Sequence, residues 1–134
     1  MSERADANIE KSKSEWYAEL TKDSKSLFCG FSQTDLYVAA AAVGYYHKKR
    51  VPLSEKQGLF QVQNMKNQEG LWIIKSIGTA TNGLESLKSL RDAVSICSEY
   101  ANYGIDVIYR MYKDSDNLIV ETADILMDLH DSLL

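Results

Sequence analysis

Proline, glycine and cysteine are scarce in this sequence. Its 134 residues include one proline, seven glycines and two cysteines. So few prolines and glycines exclude collagen-like chains and Pro-rich or Gly-rich low-complexity chains. Two cysteines are also fewer than a small secreted domain normally uses when disulfides hold it together. With 45% hydrophobic and 25% charged residues, the composition is that of a globular protein, and the length predicts a single domain over residues 1–134.

The residue types that carry catalysis or bind metals are scarce as well. Histidine occurs only as His47 and His130, and cysteine only as Cys29 and Cys97. A structural zinc site needs four such ligands at short spacings, and these four are scattered along the chain. One alternative is a Cys29-dependent enzyme with His47 as the base, because a thiol before a helix N-terminus can have a lowered pKa. We expect no enzyme activity, no catalytic residues, no cofactor and no metal site.

Long apolar runs are missing too. The longest is the eleven-residue run Leu36–Tyr46, which is well short of the ~18–20 residues that a membrane-spanning helix needs. The first residues are polar and charged, unlike a secretory signal peptide. We therefore expect a cytoplasmic protein without a membrane partner.

Acidic residues outnumber basic ones, but mainly at one end. The whole chain has 19 acids and 15 bases, a net charge of −4. Residues 114–134 contain six of the acids and no lysine or arginine. The remaining chain is nearly neutral, so no strong basic field argues for nucleic-acid binding.

Apolar periodicity predicts helices over most of the chain. Residues 91–113 show the clearest amphipathic pattern. Ser32 is a predicted N-cap for a helix that continues through the uncharged run 36–46, which we expect to be the central, almost fully buried helix. Further helical segments are predicted at 11–22, 68–81, 84–90 and 117–134. The fold class predicted is all-α, a single compact domain of five or six helices.

Two segments fall outside this helical pattern. Residues 1–10 are polar, and we expect them to be flexible. Residues 59–63 alternate apolar and polar side chains after Gly58, which is typical of a short extended segment. The sequence shows no convincing second strand. Pairing with the same segment of another copy, in a homodimer, is one way to form the hydrogen bonds that an extended segment needs.

Gly104 lies inside the apolar stripe of the 91–113 helix. Glycine within a helix costs about 1 kcal/mol relative to alanine. A close approach of another helix would compensate for this cost, so we predict a helix crossing at Gly104.

Two surfaces are candidates for contact with a partner. Lys48, Lys49 and Arg50 form a compact basic turn, which can contact DNA phosphates or a protein, although helix-end capping and solubility explain it more simply. The predicted 117–134 helix is acidic on an arc of about 80° and apolar elsewhere. Its apolar residues either belong to the core or dock onto a partner, with Ile119, Leu126, Leu129 and Leu133 as the candidate docking residues.

One arrangement of residues resembles a known family. It consists of the segment from Phe31 to Gly44, the turn Lys49-Arg50-Val-Pro-Leu53, the Gly58-Leu-Phe60 segment and Tyr100-Ala-Asn-Tyr-Gly-Ile105. Together these resemble the protein 4 family associated with bacterial and archaeal DNA phosphorothioation (dnd) systems, over roughly residues 28–108. The resemblance implies a setting of DNA modification and anti-phage defence. It implies no catalytic residues.

Two functional hypotheses follow. The first is a non-catalytic accessory or interaction protein of such a prokaryotic defence system, present as a homo-oligomer or bound to another protein. The second is a small DNA-binding or regulatory module that uses the basic turn 48–50.

Overall fold

A computed structural model describes residues 5–66, 68–83 and 89–114 of the chain. The secondary structure elements are, in chain order, β1 (Asp6–Glu10), α1 (Ser14–Lys22), α2 (Gln33–His47), β2 (Lys56–Gln61), α3 (Gln68–Asn82) and α4 (Leu90–Asp114). Short 3-10 turns follow each strand, at Lys11–Lys13 and Val62–Asn64. Among these residues, no helix combines the length and apolar character needed to cross a membrane.

The all-α prediction is wrong. The described residues contain four α-helices and an antiparallel two-stranded sheet, so the fold is α+β. Residues 6–10, which we expected to be flexible, form β1, where Ala7 and Ile9 are buried while the intervening residues are partly exposed. This alternation is the ordinary signature of a half-buried strand, but the run is short and more polar than apolar, and the sequence reading overlooked it.

The extended segment near 59–63 does find a partner strand, within the same chain. The observed strand β2 spans Lys56–Gln61 and pairs with β1, from Asp6 opposite Gln61 to Glu10 opposite Lys56. A register irregularity occurs between Ala7 and Asn8. The strand therefore starts earlier than predicted, and residues 62–64 form a 3-10 turn instead of its end.

Helix α2 begins as predicted. The Ser32 hydroxyl accepts a hydrogen bond from the Asp35 backbone N–H at 3.1 Å, which confirms the N-cap. Its core-facing residues are almost completely buried, among them Leu36, Tyr37 and Ala41. The expectation of burial all round is too strong, however, because Ala42 and Tyr46 are exposed on the opposite side.

The predicted helix crossing at Gly104 is confirmed. A Cβ atom at Gly104 would overlap the backbone carbonyl of Ala40 in α2, and one at Gly44 would overlap the carbonyl of Tyr100 in α4. The two glycines thus admit each other's helix at neighbouring points of the same crossing. Helices α2 and α4 contact backbone to backbone here, which no larger side chain permits.

Polar groups tie the N-terminal segment to α4. The Lys13 ammonium donates hydrogen bonds to the carbonyl and side-chain oxygens of Asn102, at 3.0 and 2.7 Å, and to Asp106 at 2.9 Å. The buried hydroxyl of Tyr37 shares a 2.8 Å hydrogen bond with Ser98, whose Oγ also accepts from the Asn8 backbone. These bonds connect the sheet to the helical layer.

Other predicted segments can be compared only in part. Helices α1, α3 and α4 lie where the periodicity placed them. The predicted turn at 84–90 falls mainly outside the described residues, and so does the whole predicted 117–134 helix.

Candidate functional site

The basic turn begins where α2 ends. Lys48 adopts a left-handed backbone conformation, with φ 57 and ψ 37, immediately after the last helical residue, His47. The backbone N–H groups of Lys48 and Lys49 donate to the carbonyls of Tyr45 and Gly44, at 3.0 and 3.1 Å. This is the hydrogen-bond pattern of a Schellman motif, in which the left-handed position is usually glycine. A lysine here is strained, because its Cβ approaches the backbone carbonyl.

Each of the three cations lies over a tyrosine ring. The Lys48 ammonium is 3.7 Å from the centre of the Tyr45 ring, and the Lys49 ammonium is 5.3 Å from the centre of the Tyr103 ring. The Arg50 guanidinium carbon is 5.7 Å from the Tyr100 ring centre. The basic turn is therefore held against the helical layer by cation–π contacts rather than extending freely into solvent.

Arg50 differs from the two lysines because it has an acidic partner. Its guanidinium contacts the Glu99 carboxylate at 3.0 Å through one terminal nitrogen and at 3.1 Å through Nε. In the part of the chain that the structure describes, no carboxylate lies within ion-pair distance of Lys48 or Lys49. Of the three predicted contact residues, only the two lysines keep their charge available to a partner.

The residues after Arg50 are anchored to α4. The Val51 N–H donates to the Glu99 carbonyl at 3.1 Å, and the Asn102 side-chain amide donates to the Val51 carbonyl at 3.1 Å. Because Asn102 also accepts from Lys13, one buried side chain joins the N-terminal segment, the loop and α4. The amphipathic pattern of residues 91–113 does not indicate this link, because Asn102 is a polar residue that the tertiary structure buries.

A polar cleft lies between the sheet, this loop and the start of α4. Its volume is about 560 Å³. Two bases, Lys56 and Arg91, line it together with three acids, Asp6, Asp92 and Glu99. The mixture of signs does not favour either a polyanion or a metal ion. No group of three or more His, Cys, Asp or Glu side chains converges on a possible metal position anywhere in the described ranges.

Another concave surface is apolar and lies between α2 and α3. A groove of about 350 Å³ is adjoined by a shallower pocket of about 310 Å³ beside Trp72. Trp72 has 69% of its surface exposed, and neighbouring Ile73 has 38%. We call this surface the α2–α3 face and define it by Ala42, Tyr45, Trp72, Ile73, Ser76 and Ala80.

Sequence reasoning placed Trp72 and Ile73 in an apolar helix but did not identify which of its sides lies outside. Trp72, Ile73, Ser76 and Ala80 are exposed in the middle of α3, and Gln68, Glu69 and Asn82 are exposed at its ends. Ile74, Ile77 and Gly78 are buried. Both sides of α3 carry apolar residues, and only the packing on α2 and α4 separates them. The small residues Ser76 and Ala80 were the sequence feature that could have indicated which side of α3 is exposed.

The remaining candidates occupy ordinary positions. Cys97 is buried and its thiol points towards the Ile74 carbonyl, and burial raises its pKa to about 12, so it is not a nucleophile at neutral pH. Cys29 and His47 are exposed. Ile119, Leu126, Leu129 and Leu133, the candidate docking residues, lie outside the described residues.

Comparison with known proteins places this small α+β chain in a family. The sequence profile of DNA sulphur modification system-associated protein 4 matches residues 7–132. The chain therefore belongs to this family, which confirms the resemblance noted in the sequence, and the family name associates it with DNA sulphur modification. No curated protein and no solved structure shows significant similarity to the chain.

Proposed function

We propose that this protein is a non-catalytic accessory subunit of a DNA sulphur modification system, acting in the cytoplasm by binding other protein surfaces. The α2–α3 face carries this proposal. Most exposed apolar residues on a soluble protein are scattered singly, but here a tryptophan, an isoleucine and two small residues of one helix adjoin a groove. Contiguous apolar patches with an exposed aromatic residue typify protein interfaces.

The chemistry of the face suits protein contact. Tryptophan is among the residues that contribute most to binding free energy when an interface buries them. Ala42, Ser76 and Ala80 leave room for side chains of a partner, and no carboxylate lines either pocket. The family membership supplies the setting, since it associates the chain with proteins that modify DNA with sulphur.

The test is co-purification of the tagged full chain with the sulphur modification proteins of its own system. Trp72→Ala should reduce recovery of those proteins at least about tenfold, as expected for a central aromatic residue. The matched control is Met111→Ala, which removes a side chain of α4 that is 47% exposed and should leave recovery unchanged. Equal recovery with both variants, or recovery of none of the modification proteins by the wild type, would contradict the proposal.

A second candidate function is DNA binding by the basic turn. The observation in its favour is that Lys48 and Lys49 are exposed and lack acidic partners among the described residues. Against it, Arg50 is paired with Glu99, and acids alternate with bases in the neighbouring cleft. Two lysine–phosphate contacts would give only a weak dependence of binding on salt concentration.

DNA binding is tested by measuring affinity for duplex DNA over a range of salt concentrations. If the basic turn binds DNA, Lys48→Glu with Lys49→Glu should weaken binding and lower the logarithmic salt slope by about 2. The control is Lys22→Glu with Lys25→Glu, two exposed lysines at the end of α1 and just after it. Similar losses in both double variants would point to nonspecific attraction instead of a site at the basic turn.

A further inference from the structure

We infer that the α2–α3 face binds a second copy of this chain, with the two α3 helices antiparallel and Ser76 at the two-fold axis. The inference rests on the proposed function, because it names one partner for the same face. Its physical basis is the order of side-chain sizes along α3.

Four exposed residues of α3 form a continuous stripe. Trp72, Ile73, Ser76 and Ala80 are separated by one, three and four residues, which places them on one side of the helix. None of the four is charged. The charged residues nearest to the stripe are Glu69, which is exposed one turn before Trp72, and Lys75, which lines the pocket beside Trp72. The long side chain of Lys75 allows its ammonium group to stay in water at the edge of a covered surface.

The stripe is complementary to its own reverse. Trp72 and Ala80 each lie four residues from Ser76, on opposite sides of it. Turning a second α3 end for end about Ser76 therefore places Trp72 of each copy opposite Ala80 of the other. Each indole occupies the space that the small residue leaves, and the serines at the axis allow the helices to approach closely. A two-fold dimer requires this kind of self-complementary patch.

The area available is consistent with a stable dimer. A buried aromatic side chain covers about 150–250 Å², and a stable interface buries at least about 1,200 Å² in total. Each copy offers Trp72 and also Tyr46, which is 79% exposed and lies one helical turn beyond Ala42 on α2. The four aromatic side chains of a dimer supply about half of that area. The rest has to come from the walls of the two grooves, with Ile73 and the small residues.

The experiment is to exchange the large and the small residue along the stripe. Light scattering coupled to size exclusion gives the mass of the full chain over a wide range of concentrations. The variants are Trp72→Ala, Ala80→Trp and the double variant that carries both changes, with Met111→Ala as the control. Circular dichroism shows whether each variant is folded.

The wild type and Met111→Ala should be dimers with similar dissociation constants. Each single change should weaken the dimer at least about tenfold, because it leaves either two small residues or two indoles opposite each other. The double variant should recover most of the affinity, since it again pairs an indole with a small residue. Only an antiparallel pairing about Ser76 predicts this recovery.

A wild type that stays monomeric at all concentrations would overturn the inference. So would a dimer that is insensitive to Trp72→Ala, or a double variant that remains as weak as the single ones. In a monomer, shielding of Trp72 from a soluble quencher would show that other residues of the same chain cover the face. Trp16 is replaced by phenylalanine in that measurement, so that Trp72 is the only fluorophore of its kind.

Failure of this inference is distinguishable from failure of the proposed function. A monomer that still co-purifies with the modification proteins through Trp72 overturns the dimer and retains the accessory role. A dimer that recovers none of those proteins retains the dimer and contradicts the accessory role.

Discussion

Helix α4 is attached to the rest of the molecule in two different ways. On one side it crosses α2, where Gly44 and Gly104 bring the two backbones into contact. On the other side, hydrogen bonds from Lys13 and to the 51–52 loop hold it to the sheet and the N-terminal segment. The first attachment depends on shape and tolerates no added atom. The second depends on a few polar atoms, and each of these can be removed separately.

The two attachments should therefore respond differently to substitution. Overpacking at the crossing forces whole helices apart, whereas loss of a polar partner leaves one buried group unsatisfied. The crossing should show the largest single effect and the exposed end of the basic turn the smallest.

Gly104→Ala is expected to destabilise the protein by about 3 kcal/mol. The added methyl group meets the Ala40 carbonyl, which belongs to a helix backbone and cannot rotate away. The gain of ~1 kcal/mol in helix propensity is too small to compensate. Urea unfolding measures the change.

The matched control for the crossing is Gly58→Ala in β2. There the nearest atom to an added Cβ is Asn8 Oδ1, at 3.9 Å, which is ordinary contact. The free energy of unfolding should change by less than about 0.5 kcal/mol. Equal effects at positions 58 and 104 would show that α2 and α4 are not in backbone contact.

Lys13→Met is expected to cost about 2 kcal/mol, because Asn102 and Asp106 lose their shared donor in a partly buried site. The Lys13 side chain is only 14% exposed. Lys11→Met is the natural control, since Lys11 pairs with Glu55 at 61% exposure and such pairs contribute no more than about 1 kcal/mol. Urea unfolding measures both variants. If Lys13→Met and Lys11→Met lowered the free energy of unfolding by similar amounts, the polar attachment would be contradicted.

Glu10, at the end of β1, makes the stability of the fold depend on pH. The Glu10 carboxylate accepts hydrogen bonds from the Ser54 hydroxyl and from the backbone N–H groups of Ser54 and Glu55. These bonds, first of all the one from the hydroxyl, hold the pKa of Glu10 below its ordinary value of 4.5. A lowered pKa stabilises the fold above the unfolded-state value, and this contribution is lost as the pH falls through the folded-state value.

Glu10→Gln should therefore lower stability at neutral pH and flatten its decline below pH 4.5. The measurement is the free energy of unfolding as a function of pH. Parallel acid profiles for the wild type and Glu10→Gln would show that Glu10 does not bind Ser54.

Lys48→Gly should have the smallest effect, and of opposite sign. Glycine relieves the left-handed backbone strain, while loss of the Tyr45 contact removes part of the gain, so stability should rise by about 0.5 kcal/mol. Lys49→Gly loses its own tyrosine contact without relieving a left-handed conformation, since within the described ranges Lys48, and not Lys49, has a positive φ. The melting temperature should therefore rise for Lys48→Gly and fall for Lys49→Gly. A shift in the same direction for both variants would exclude strain at Lys48.

The features predicted correctly from the sequence are the local and periodic ones. The Ser32 cap, the positions of α1 to α4 and the crossing at Gly104 all followed from spacing. The sheet was missed because β1 offers only two buried residues, and the recognised extended segment lacked an evident partner. Lys48 and Lys49 were placed correctly as a basic turn, but nothing in the sequence indicated that Glu99 would pair with Arg50.

The sequence by itself determined where helices form and where two of them contact, because helix propensity, caps and glycine positions act over a few residues. Only the tertiary structure decided which side of α3 stays exposed and which polar groups meet. Lys13 and Asn102 are 89 residues apart in the chain, and no periodic pattern links residues at that separation. Trp72 is a hydrophobic residue like the buried residues of α3. It is exposed because it lies on the side of α3 that does not pack against α2 and α4.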